Sequence, residues 1–145
     1  FSIDKLRIEE LNEKAFVQWL QSHQELNDLE ITSSQSSDDE DAIKRLYVLA
    51  ETQGEHAPGL GVHSVKVRVT LEADATQVSE DEYNALWASV MGYLFWDELE
   101  SKLMSLQPGL KIYGVLRNNS PSAKLFAEDR WSRSFSLIVK AYEAQ

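Results

Sequence analysis

Leu110-Lys111-Ile112-Tyr113-Gly114-Val115-Leu116, a polar excursion over 117–130, and the return Arg130-Trp131-Ser132-Arg133-Ser134-Phe135-Ser136-Leu137-Ile138-Val139-Lys140-Ala141-Tyr142 decide the fold. On the first arm Leu110, Ile112 and Gly114 share a face. On the second, Trp131, Arg133, Phe135, Leu137 and Val139 alternate with Ser132, Ser134, Ser136, Ile138 and Lys140. Two alternating strands joined by a long polar loop make an antiparallel β-ribbon with a point of contact at its tip. No residue in the ribbon is equipped for bond chemistry, so it points to assembly or binding.

Upstream, Ser79-Glu80-Asp81-Glu82 is a capping box with extra acid in the first turn. It opens a long helix to about Leu106, in which Tyr83, Leu86, Trp87, Val90, Leu94, Leu99, Leu103 and Leu106 keep helical spacing with some drift around Gly92. Pro108-Gly109 stops it. Before it lies the cleanest strand of the chain. Val65, Val67, Val69 and Leu71 point one way, and Ser64, Lys66, Arg68, Thr70 and Glu72 the other. The run over 43–51 reads as an inner strand covered on both faces, because Tyr47, Val48, Leu49 and Ala50 are almost continuously apolar, with a short helix as the alternative that its Ala and Leu allow. Residues 54–61, with Pro58 and Gly59, form the turn between these two strands.

At the start of the chain Asp4 is placed to cap a helix running to about His23. Ile8, Leu11, Ala15 and Trp19, widened by Phe16 and Leu20, form its apolar stripe, with Glu9, Glu10, Asn12, Glu13 and Gln18 on the wet side. Leu29 to Thr32 is short enough to be a minor strand. Residues 33–42 are serine-rich and acidic around Asp38, Asp39, Glu40 and Asp41, and read as a mobile loop. The predicted order is helix, two or three strands, helix, two strands. That is an α+β fold: two layers, a mainly antiparallel sheet of four or five strands against two helices, in one domain over 1–145.

Composition narrows the function classes. The formal net charge is −10, with 14 basic and 24 acidic residues. The scattered cations argue against a surface that grips a nucleic-acid backbone, which needs clustered Lys and Arg. There is no cysteine, so disulfides, thiolate metal sites and cysteine nucleophiles are all excluded. No apolar run approaches the roughly 20 residues that cross a bilayer, and no membrane partner is expected. His23, His56 and His63 lack metal-site spacing, Gly59-Leu60-Gly61 is too short for a phosphate loop, and no serine sits in a nucleophile elbow. Glu80 with Glu82, and Glu98 with Glu100, read as helix-end charges rather than acid–base pairs. Trp87, Tyr93, Phe95 and Trp96 read as core and subunit-contact surface. The expectation is a protein that is not an enzyme and has no metal or cofactor.

From about Ile43 onward the chain resembles the tail terminator (tail completion) proteins of tailed bacteriophages and related prophages. The features that carry the resemblance are Arg45-Leu46-Tyr47-Val48-Leu49-Ala50, the Val65–Leu71 strand, the helix after Ser79, Ile112-Tyr113-Gly114-Val115, and Asp129-Arg130-Trp131-Ser132-Arg133-Ser134-Phe135. The resemblance implies a virion structural protein of the tail or neck, assembled in the host cytoplasm. It would act as a homo-oligomeric ring, usually of six subunits, that caps the tail tube. Its partners would be further copies of itself, the tail-tube protein and a head-completion or neck protein, with genomic DNA passing an acidic lumen without specific binding. A head–tail adaptor or head-closure protein, or an unrelated small acidic α+β protein-binding module, has the same texture. The candidate interface residues are Arg117, Asn118 and Asn119 on the polar excursion, with Arg130, Trp131 and Arg133, the one basic–aromatic cluster.

Overall fold

A computed structural model describes residues 7–33, 42–57, 62–117 and 119–143, with backbone alone for 54–57. Asp4, the acidic segment 34–41, residues 58–61, Asn118 and the His56 side chain therefore lie outside what is described. Helix α1 (Arg7–Gln21) is followed by a 3-10 turn (Gln24–Leu26), strands β1 (Glu30–Ser33), β2 (Lys44–Ala57) and β3 (Val62–Asp74), helices α2 (Glu80–Leu94) and α3 (Leu99–Leu106), and strands β4 (Leu110–Leu116), β5 (Leu125–Ala127) and β6 (Arg130–Glu143). The fold is α+β. Among the described residues the sheet runs β1-β2-β3-β6-β4, with β5 paired to the start of β6. Only the β1–β2 pairing is parallel.

The helices cover one face of the sheet. Leu46, Val48 and Ala50 of β2, Val65, Val67, Val69 and Leu71 of β3, and Phe135, Leu137 and Val139 of β6 are buried in register beneath them. Strand β2 is flanked by β1 and β3 over Arg45–Val48, but its apolar run is covered on one face only. Tyr47 and Leu49 alternate to the opposite face and are half-exposed there, because among the described residues no helix lies over it. In α1, Ile8, Leu11, Ala15, Phe16, Trp19 and Leu20 are buried as their spacing predicts.

The wet side of α1 is not as expected. Asn12 and Glu13 are 0% and 2% exposed. The reason lies in the sheet: among the described residues β1 pairs with β2 as far as Val48, and the next outward N–H groups of β2 face α1. Glu13 Oε2 accepts the Ala50 N–H at 2.8 Å, and Glu9 Oε2 accepts that of Thr52 at 2.6 Å. Four residues of helix rise about 6.0 Å and two of strand about 6.6 Å, so carboxylates at i and i+4 match donors at j+2 and j of a strand running the opposite way. Helix α1 thus supplies acceptors along this stretch of β2.

The long helix expected over 80–106 is two. Ser79 Oγ accepts the Glu82 N–H at 3.1 Å as a cap, while the Glu82 carboxylate turns to Lys44 at 3.3 Å, so half of the capping box forms. The helix ends at Leu94, and Glu98 adopts a left-handed φ of 61° that redirects the chain before Leu99 re-enters the core. A second departure is a bulge between Ile112 and Gly114 of β4, which moves Gly114 opposite Lys140, away from the face that Leu110 and Ile112 share.

Glu13→Ala removes the charged acceptor of the buried Ala50 N–H, and is expected to cost about 1.5–3 kcal/mol of unfolding free energy. Glu13→Gln, which keeps an acceptor oxygen, should recover part of that loss. Urea unfolding of the three proteins measures both; a Glu13→Ala protein as stable as wild type would remove this bond from the account.

Candidate interaction surface

The excursion between β4 and β6 does not project freely. Arg117 turns back onto the end of α2, its Nε donating to the Leu94 carbonyl at 2.8 Å and its guanidinium lying 3.9 Å from Glu100 and 5.8 Å from the Phe95 ring centroid. A cation there meets the negative end of the helix dipole. Asn119 Nδ2 donates to the Ser136 carbonyl at 3.3 Å, and the Ser122 N–H to the Ser134 carbonyl at 2.9 Å. Lys124 then bonds Glu80 and Asn84 at the opposite end of α2. The segment is a strap along the outer edge of β6, closing the gap between β4 and β5.

The basic–aromatic cluster divides between two faces. Arg130 sits 4.0 Å from Glu72 and donates to the Ala42 carbonyl at 3.3 Å. Trp131 turns the other way, its ring centroid 6.2 Å from Tyr83 and 4.8 Å from Phe126, with Nε1 donating to the Val78 carbonyl at 3.3 Å. Arg133 lies 5.2 Å from the Trp87 ring and donates to the Ser122 carbonyl at 2.9 Å. These candidates bind their own subunit, and Trp131 packs against the core rather than standing clear of it.

What stands clear is the uncovered sheet face. Arg45, Lys66, Arg68, Lys111, Arg130 and Lys140, six of the fourteen basic residues, alternate onto it, against Glu30, Glu51, Glu72 and Asp74. Arg45 is held by Glu72 at 3.4 Å, whereas Lys66, Arg68, Lys111 and Lys140 have no ion pair among the described residues. A concavity beside the strap is lined by Lys66, Asn119, Ser120, Ser122, Ser134 and Ser136. Its lining holds an ammonium, an amide and four hydroxyls but no carboxylate. An oxyanion fits such a lining chemically.

A second exposed region is aromatic. His23 stacks on Tyr93 at 3.6 Å between ring centroids and meets Trp19 edge-on at 4.4 Å, with Trp96 alongside. Trp19 Nε1 donates to the Tyr93 carbonyl at 3.1 Å. His23 Nε2 is buried without a partner, and burial holds the imidazole pKa below its ordinary value, opposed by Glu25. Beyond it Phe95 and Trp96 are 50% and 43% exposed. At the ribbon tip Leu125 and Phe126 are exposed as well, an apolar pair inside a polar excursion that the sequence displays but that its polar neighbours obscure. His63, on β3, has its Nδ1 buried without a partner and lies on a different element from His23. No family model matches the chain, and no curated protein matches it.

Two measurements test this placement. Trp131→Ala should lower the unfolding free energy by about 2–4 kcal/mol through lost packing on Tyr83 and Phe126; an unchanged melting temperature would mean the indole is free. For His23, the folded state favours the neutral ring, so the unfolded chain takes up the proton first as pH falls through 6.5. Wild type should therefore lose stability relative to His23→Phe between about pH 7.5 and about pH 5. Urea midpoints at several pH values give the difference, and one that does not vary with pH sinks the assignment.

Proposed function

We propose that this chain is a phage tail terminator, a structural protein that assembles as a ring on the end of the tail tube. The ring offers its other side to the head-completion or neck protein, and DNA passes through it. The observation that carries this reading is the sheet face without a helix over it. It is broad and polar, and locally opposite in charge to a chain of net charge −10. A protein whose sheet is covered on one side only, and which must contact identical neighbours, has a surface ready for a repeated heterologous contact. The ordered resemblance from Ile43 onward supplies the rest.

In this reading the cationic face turns toward protein neighbours and the acidic remainder toward DNA, so that DNA slides past without being gripped. A head–tail adaptor or head-closure role uses the same surfaces at the next layer. A protein-binding module without a virion role would instead use the exposed Leu125–Phe126 tip alone.

Negative-stain electron microscopy of the protein mixed with its tail tubes separates these readings. Rings seated at one end of tubes of fixed length are expected. Undecorated tubes that continue to lengthen would overturn the terminator reading, and binding to head-completion protein alone would favour the adaptor.

A further inference from the structure

The turn between α2 and α3 and the uncovered sheet face are complementary. Phe95-Trp96-Asp97-Glu98 is exposed at all four positions. Asp97 and Glu98 have no ion pair among the described residues. This turn closes a stretch, Val69 to Ser101, that contains eight acidic residues and no Lys or Arg. The sheet face offers the reverse: Lys66, Arg68 and Lys140 without ion pairs, and half-exposed Leu49 and Ile138 beside them. Two carboxylates next to two large apolar rings meet cations next to apolar side chains. Charge and hydrophobic character both match.

We infer that the Phe95–Glu98 turn of one copy docks on the Lys66–Arg68–Lys140 face of the next, with a carboxylate seated in the serine-lined concavity. This rests on the ring reading only for the closure of the chain of copies. The two surfaces belong to different layers of the fold, one to the helices and one to the open side of the sheet. A copy therefore cannot satisfy both with a single partner by twofold symmetry. The contact is heterologous and propagates head to tail, closing into a ring only where the rotation per step closes on itself and otherwise giving an open filament. Both surfaces carry charge, so the contact also steers encounter and weakens with salt. The concavity adds direction. Ser134 and Ser136 lie next to Arg68 in the β3–β6 register, and Asn119 and Ser122 of the strap close the opposite wall. A carboxylate entering there meets donors on two sides, which fixes the rotation between successive copies more firmly than charge alone.

The test uses the whole chain and two double variants, Lys66→Glu/Arg68→Glu and Asp97→Ser/Glu98→Ser. All four positions are on the surface or half-exposed, and thermal melts verify that both variants fold. Light scattering and sedimentation at protein concentrations up to about 1 mM and at about 50 mM salt, where screening is weak, should show wild type associating. Each variant should associate at least about tenfold more weakly, as loss of close charge pairs across an interface does. An equimolar mixture of the two variants retains one intact junction and should form a one-to-one complex.

Wild type that stays monomeric throughout, a folded variant that associates as wild type does, or a mixture that stays monomeric would each overturn the docking. The tail reading is scored separately on tubes. If Lys66→Glu/Arg68→Glu caps tubes as wild type does, the docking surface falls and the terminator reading stands. If wild type self-associates through these residues but leaves tubes uncapped, the surface stands and the terminator reading falls.

Discussion

Two carboxylates on one helix, Glu9 and Glu13, hold the edge of β2 where β1 runs out, and the layered arrangement depends on them. Without them, the N–H groups of Ala50 and Thr52 beneath α1 would lose charged acceptors, each such bond contributing about 1.5–3 kcal/mol. With them, α1 is aligned antiparallel to β2 at a fixed register, and its apolar stripe joins the core that includes Leu46, Val48 and Val67. Gln21 extends the same device by donating to the Ile31 carbonyl at 2.9 Å. One helix thus docks by hydrophobic burial and is aligned by hydrogen bonds, and the alignment fixes which face of the sheet is left bare.

The second helix is held from the other side. Arg117 and Lys124 bind opposite ends of α2, and the strap between them occupies the β6 edge. Tyr83, fully buried, donates its hydroxyl to the Leu71 carbonyl at 2.6 Å, and burial raises its pKa so that the phenol stays protonated. The polar excursion is structural for the same reason that it is polar. Its side chains supply the donors that the carbonyls of α2 and β6 lack.

Much of this was legible in the sequence, and the failures share a cause. Alternation placed Val65 to Leu71 and Phe135 to Val139 correctly, because period 2 records which side is apolar. The same logic put Glu13 and Asn12 in water, since a helical wheel registers polarity but not an unpaired strand edge nearby. It read Tyr47 and Leu49 as covered, because an apolar run does not reveal whether a second layer exists. The helix break before Glu98 is where Arg117 takes up the Leu94 carbonyl, a contact between residues far apart in sequence that helical spacing does not record. Arg130, Trp131 and Arg133 were legible as a cluster but not as one divided between two faces and turned inward, a result of strand alternation together with the Phe126 hairpin.

The sheet edges explain why a face, rather than an edge, is free for contact. A bare strand edge invites pairing with another chain, and proteins that must stay soluble cover or break theirs. Here β1 is four residues long and α1 takes over where it stops. The bulge at Tyr113 interrupts β4, Lys111 is exposed on it, and the Ile112 N–H is taken by Met104 Sδ at 3.3 Å. The strap occupies the remaining stretch of β6. With both edges blunted, backbone pairing is disfavoured, and side-chain complementarity on the uncovered face becomes the available route to association. Cations on that face suit the role, since they tolerate water in the free chain and lose their solvation only against carboxylates. Such a surface remains soluble alone and selects an acidic partner.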